Sequence, residues 1–246
     1  MLAFGHRGAR GLRPENTLSA FELAIKLGLD GVEMDVMRCA SGEPVVFHDY
    51  RLEYLTGYKG WTEGAPLGAL RRLDAGSSFH PRYRGERIPT LEEVFDLIGD
   101  RLILNLELKG EDARGDGLEW SVVELIRRYK LEGNVIFSSF NPVRIARAKR
   151  IAPEIPAGML MQPDLAGPLR RLWFSPFRRA DLLHPEISMV TQRLVERAHG
   201  RSLAVIAWPA NTEEDMRRLI NAGVDGIITD RPDRLLKVLG RNCVGF

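Results

Sequence analysis

Two acids sit two positions apart in DGVEMDVMR (residues 30–38), inside a run that is otherwise apolar. Val32, Met34 and Val36 form one side of the alternation, and Glu33 and Asp35 form the other. Successive side chains of a strand point to opposite faces, so the two carboxylates share a face. The pattern recurs in LILNLELKG (102–110), where Asn105, Glu107 and Lys109 alternate with Leu104, Leu106 and Leu108. If both polar faces turn inward, three carboxylates crowd one space. Buried together, they raise one another's pKa unless a cation lies between them. Oxygen ligands alone suit a hard divalent cation, Mg2+ or Ca2+. The bland alternative is a buried network of these acids with Arg or Lys. Three acids on two neighbouring strands favour the metal.

Two histidines follow apolar runs: His6 after LAFG and His48 at the end of PVVFHD (44–49). A lone histidine is most often structural. Two at strand ends beside an acid cluster can divide the base and acid roles, because imidazoles titrate near neutrality. Arg7 and Lys109 add positive charge that a carboxylate-only metal site does not need. A divalent cation, Arg, Lys and two His together suit an anionic transition state, with phosphoryl transfer the leading candidate. His80, His184 and His199 have weaker claims. A metal-dependent isomerase or aldolase, or a barrel that only binds phosphate or metal, competes with this reading.

The elements that must position these groups are legible as an alternation. Short apolar runs lie at 2–5, 31–36, 102–108, 135–138, 157–161, 181–184, 203–208 and 225–229. Segments of helical period stand between many of them, including 18–27, 118–129, 143–151, 190–199 and 213–222. Asn16 stands where the N-cap of the first helix is expected, Asn141-Pro142 opens another, and Thr90 with Glu93 fits a capping box. Gly28, Gly223 and Gly240 mark helix ends. Eight strands alternating with helices predict an α/β chain folded as a TIM-type (β/α)8 barrel. A doubly wound sheet is the rival, but no GxGxxG opens the first βα turn. The stretch between the second and third barrel strands is too long for one helix. It is read as an extra hairpin at PVVFHD plus a small inserted subregion at about 50–88 on the barrel mouth, within a single domain spanning 1–246.

Bulk properties narrow the classes further. The chain has 246 residues and a net charge of +2 from 35 basic and 33 acidic groups, which gives no argument for nucleic acid. Cys39 and Cys243 are far apart and form neither a disulfide framework nor a zinc spacing. MLAFGHRGAR is unlike a signal peptide and no apolar run reaches transmembrane length, so a cytoplasmic location is expected. RRLWFSPFRR (170–179) interleaves aromatics with Arg and could touch an anionic membrane, although packing on the barrel is the favoured reading.

Taken in order, GHRGARGLRPENT (5–17), VEMDV (32–36), PVVFHD (44–49), IPTLEEV (88–94), LNLELK (104–109), SSFNP (138–142) and GVDGIITDRP (223–232) resemble the glycerophosphodiester phosphodiesterases. The resemblance covers nearly the whole chain. It implies a TIM-type barrel with an insertion after the second strand, one divalent cation, and hydrolysis of a small-molecule glycerophosphodiester to glycerol 3-phosphate and an alcohol. Lysophospholipids are the alternative substrate class. By motif, Glu33, Asp35 and Glu107 resemble the metal ligands, His6 and His48 the acid/base pair, and Arg7 and Lys109 the phosphate contacts. Glu15 and Asn16 are expected to support the His6 loop, and Trp208 to line the substrate pocket. One departure stands out: IAWPAN (206–211) carries Pro209 where the family more often has Thr, which puts the pocket's shape in question.

Overall fold

The computed structural model describes residues 1–110, 115–164 and 180–241. Nine strands are present among them: β1 (Leu2–Gly5), β2 (Gly31–Arg38), β3 (Pro44–Val46), β4 (Ile103–Leu108), β5 (Val135–Ser139), β6 (Ala157–Met161), β7 (Leu182–Pro185), β8 (Ala204–Ala207) and β9 (Gly226–Thr229). All except β3 run parallel, in the order β1-β9-β8-β7-β6-β5-β4-β2, and a β1–β2 pairing closes the ring. This is the eight-stranded barrel that the alternation predicts.

Each barrel strand buries both faces, and the two faces do different work. Val32, Met34 and Val36 of β2, with Leu104, Leu106 and Leu108 of β4, face outward into the main core beneath the helices. Inside the barrel, Phe4, Ile136, Leu182, Ile206 and Ile228 form a second apolar cluster. Burying one such side chain stabilises the fold by about 1.5–3 kcal/mol, so the acids are tolerated only because these layers hold the strands around them.

Helix ends follow local chemistry. Thr90 and Glu93 form the expected capping box at the helix Leu91–Ile98, and Asn141 caps Pro142–Ile151. The first helix corrects the sequence reading. Its N-cap is Thr17, whose hydroxyl accepts from the Ala20 backbone N–H. Asn16 instead sits at φ 55° with its side chain turned into the barrel.

β3 pairs antiparallel with β2, matching Val36 with Val46 and Met37 with Val45. The inserted residues that follow carry the short helices Glu53–Thr56 and Leu67–Leu70 and a single 3-10 turn at Pro81–Tyr83. They wrap a small apolar cluster of Met37, Cys39, Val45, Phe47, Leu52, Leu70, Ala75 and Ile88. Four of these come from β2, β3 and the residues just after, so the insertion grows out of the barrel wall. No described helix is long and apolar enough to cross a membrane. The aromatic and basic stretch 170–179 lies outside the described residues.

Candidate active site

The strand register decides where the acids go. Asp35 lies opposite Glu107 and Glu33 opposite Asn105 across the β2–β4 ladder, so all four side chains enter the barrel interior together. Oxygen atoms of Glu33, Asp35 and Glu107 come within 4.8 Å of one another, and the three residues are buried or nearly so. The expected cluster therefore exists.

Its electrostatics are divided. Burial opposes ionisation of Asp35, but Lys109 and then Arg7 outweigh it and hold the carboxyl well below the usual range. Lys109 Nζ lies 3.4 Å from Asp35 Oδ1 and 3.2 Å from Glu107 Oε1, and Arg7 Nε lies 3.2 Å from Asp35 Oδ2. Asn16 Nδ2 donates to Asp35 Oδ2 at 2.9 Å, which is why Asn16 leaves the capping position. Glu33 has only the Arg7 backbone N–H at 2.9 Å and His6 Nε2 at 3.8 Å. Burial, with Asp35 and Glu107 beside it, pushes its carboxyl well above the usual range. Burial also raises Glu107, and Asp35 adds to the rise against the opposing pull of Lys109. Arg7 is shared with Glu15, 2.7 Å away, which Arg10 also approaches at 3.3 Å, so three cations serve four carboxylates. The least compensated carboxyl is Glu33, and Glu107 shares Lys109 with Asp35. An all-oxygen set with incomplete compensation fits a divalent cation, since the ion-pair network serves Asp35 twice and Glu107 only through the Lys109 it shares with Asp35.

His6 and Arg7 reach the site through a strained turn. Arg7 takes φ 49°, in the left-handed region, which aims its N–H at Glu33. The flanking glycines are required: a Cβ on Gly5 would lie 1.8 Å from the Gly8 carbonyl oxygen, and one on Gly8 2.7 Å from Ala20 Cβ. His6 Nδ1 is 2.6 Å from Asp230 Oδ1. Burial, opposed in part by Asp230, lowers the His6 pKa below its ordinary 6.5. Asp230 is held low by His6 and Arg10 against its own burial. A carboxylate only accepts, so the proton between them belongs to Nδ1 and leaves Nε2 of the neutral ring free toward the acids. His48 repeats the arrangement with Asp49 Oδ1 at 2.6 Å, but it is half-exposed.

His6, Arg7, Glu33, His48 and Glu107 line a cavity of about 160 Å3 together with Phe140, Leu160, Gln162, Trp208 and Ile228. Trp208 stacks edge-on against Phe140, with centroids 5.5 Å apart, and donates Nε1–H to the His184 carbonyl at 2.6 Å. Pro209 costs no ladder bond, since the N–H groups of Trp208 and Ala210 on either side are both paired. Every candidate thus gathers at one mouth. Lys109 and Asn16 touch Asp35, and Glu15 bridges Arg7 and Arg10 at 2.7 and 3.3 Å. Sequence reading missed Asp230 and its support, Asn211, whose Nδ2 donates to Asp230 Oδ2 at 2.8 Å. Asp230 directly follows β9, so the strand-end rule that singled out His6 would also have found it.

A model of the glycerophosphoryl diester phosphodiesterase family matches residues 6–234. The chain belongs to that family, whose named members are phosphoric diester hydrolases. It is 39% identical over 240 residues to a glycerophosphodiester phosphodiesterase of Caldanaerobacter subterraneus subsp. tengcongensis, covering 97% of each chain. A Bacillus altitudinis enzyme of the same name is 35% identical over 96% of both chains. Among solved structures, an Oleispira antarctica phosphodiesterase in complex with the product sn-glycerol-3-phosphate superposes with a TM-score of 0.89. It is 32% identical, covering 98% of this chain and 97% of that one.

Proposed function

We propose that this protein hydrolyses glycerophosphodiesters to glycerol 3-phosphate and an alcohol, with one divalent cation held by Glu33, Asp35 and Glu107. The observation that carries the reading is the buried carboxylate cluster facing two histidines, each anchored through Nδ1 on its own aspartate. When bound, the cation, Mg2+ or Ca2+, supplies Lewis-acid neutralisation of the phosphate oxygens.

The side chains perform the rest. Arg7 and Lys109 orient the phosphodiester by its non-bridging oxygens and offset charge as it develops. His6, neutral and buried, takes the nucleophile's proton at Nε2. His48, on the open side, protonates the departing alcohol oxygen. The nucleophile is the substrate's own 2-hydroxyl, giving a cyclic phosphate that water opens, or water directly. Trapping the cyclic phosphate separates these routes. Phe140 and Trp208 exclude water from the carbon skeleton. Glu15 and Asn16 hold Arg7 and Asp35 in place and touch no reacting atom.

A cavity of about 160 Å3 is small beside the ~300 Å3 at which drug-sized pockets begin. Its size supports a soluble headgroup diester over a lysophospholipid. Cys39, buried and unpaired, accords with a reducing cytoplasmic location.

The test is glycerol 3-phosphate release from a panel of diesters, measured across metals and with chelator. Glu33→Gln and Asp35→Asn should lose cation binding and turnover together while circular dichroism stays unchanged. Near-wild-type turnover in His6→Ala or His48→Ala would overturn the assignment.

A further inference from the structure

Beside the acids, the barrel interior holds polar groups that the reaction does not use. Asn105, Ser138 and His184 are fully buried, and both amide atoms of Asn105, the Ser138 hydroxyl and both ring nitrogens of His184 have no partner among the described residues. A buried polar group left unpaired costs about 1–3 kcal/mol, and five such atoms in one barrel interior call for a common ligand.

The register shows that two of these groups are neighbours of the clustered acids. Asn105 lies opposite Glu33 on the adjacent strand, and Ser138 lies opposite Glu107. On its other side Ser138 pairs with Gly158. Gly158 has no side chain, and a Cβ there would fall 2.3 Å from both Cδ2 and Nε2 of His184. The imidazole, anchored on β7, therefore fills the side-chain space of Gly158 on β6. Ser138 is the register neighbour of Gly158 on β5, so the imidazole lying over Gly158 is next to the Ser138 side chain, one strand spacing (~4.8 Å) along the sheet. Nε2 and the Ser138 hydroxyl make no hydrogen bond to each other or to any other described residue, and one molecule between these neighbouring side chains would serve both.

The donor set names the ligand. Burial drives the His184 pKa down to about 3, so the ring is neutral and offers one donor and one acceptor. The hydroxyl and the amide are likewise both donors and acceptors. A bare cation would leave their donors unpaired, and an anion their acceptors. Water pairs with both, and buried waters typically make about three such bonds.

We propose that Asn105, Ser138 and His184 bind ordered water beside the carboxylate cluster, and that Ser138 acts through this water as a positioning residue for Glu107. The water ties the Glu107 carboxylate to the barrel wall and fixes its orientation before the cation arrives. This consequence rests on the reading of Glu33, Asp35 and Glu107 as cation ligands.

Two measurements decide it. A high-resolution crystal structure of the wild-type protein should show water bonded to Ser138 Oγ and His184 Nε2. A dry site, or a direct bond between the two side chains, overturns the proposal. Titration calorimetry with Mg2+ and with Ca2+ should show cation affinity weakened roughly 10–100-fold in Ser138→Ala and largely restored in Ser138→Thr, which keeps the hydroxyl. The melting temperature of the metal-free protein should not fall in Ser138→Ala. A purely structural serine would do the reverse, lowering the melting temperature and leaving affinity unchanged, and that result also overturns the proposal. If the wild-type protein binds neither cation, the metal reading fails instead, and the water density alone then decides the buried site.

Discussion

Asp230 governs what His6 can do. Its carboxylate fixes the proton on Nδ1, and Asn211 fixes the carboxylate, so the free Nε2 always points at the acids. Asp230→Asn keeps the shape but presents an amide whose donor can face Nδ1, which favours the wrong tautomer. Turnover should fall by roughly 10²- to 10⁴-fold, with cation affinity and KM nearly unchanged, as read by steady-state kinetics and calorimetry. The pH profile supplies a second readout. As the proposed base, His6 must be neutral, and burial places its pKa below 6.5. Activity is therefore retained as pH falls through 6.5 and lost only below the lowered value. Asp230 opposes that lowering, so its removal should move the acid limb of kcat/KM to still lower pH. A limb that stays put or moves upward would separate His6 from the rate.

Elements carry the next level of constraint, and here one glutamate joins two of them. Glu93 closes the capping box of the helix Leu91–Ile98 and also receives Arg71 of the insertion at 2.5 and 2.7 Å. Arg71 in turn donates to the Ile88 carbonyl at 3.1 Å. The pair is about two-thirds buried, so it is worth more than an open surface contact, on the order of 1 kcal/mol. A double-mutant cycle with Arg71→Ala and Glu93→Gln should give a coupling of about that size by urea unfolding. A coupling near zero would mean that the apolar cluster alone holds the insertion. The strands and helices were legible because a barrel strand writes two different faces into one sequence. Leu104, Leu106 and Leu108 announce the outer core, while Asn105 and Glu107 announce the interior. What stayed hidden depends on distant partners. Asp230 meets His6 across 224 residues, and no local pattern encodes that pairing. Asn16 had the right residue type for a cap, but a buried carboxylate on β2 claimed its side chain, and Thr17 took over. Likewise, the vacant side chain of Gly158 acquires meaning only once His184 is seen lying over it.

At the scale of the molecule, the question is whether the insertion and the barrel fold as one unit. The insertion has its own apolar cluster, which by itself would suggest a separate module. Three features oppose that. The cluster borrows Met37 from β2 and Val45 from β3. Arg13, from the loop after β1, is hydrogen-bonded to Tyr83 of the insertion. Thr62 of the insertion donates to the Asp49 carbonyl at 2.7 Å, beside His48. Melting the insertion would therefore expose the barrel wall at β2 and unfix His48, so the two should unfold together. Scanning calorimetry should give one transition with calorimetric and van't Hoff enthalpies in agreement. Leu70, fully buried in the insertion's cluster, provides the discriminating variant. Leu70→Ala removes a core side chain at a cost of about 2–5 kcal/mol, which for a chain of this length lowers the melting temperature by on the order of 10 °C. In a single cooperative domain the whole transition moves by that amount and stays sharp. In a two-unit molecule a small early transition separates and the barrel's main peak stays where it was, and the single-domain reading would then be abandoned.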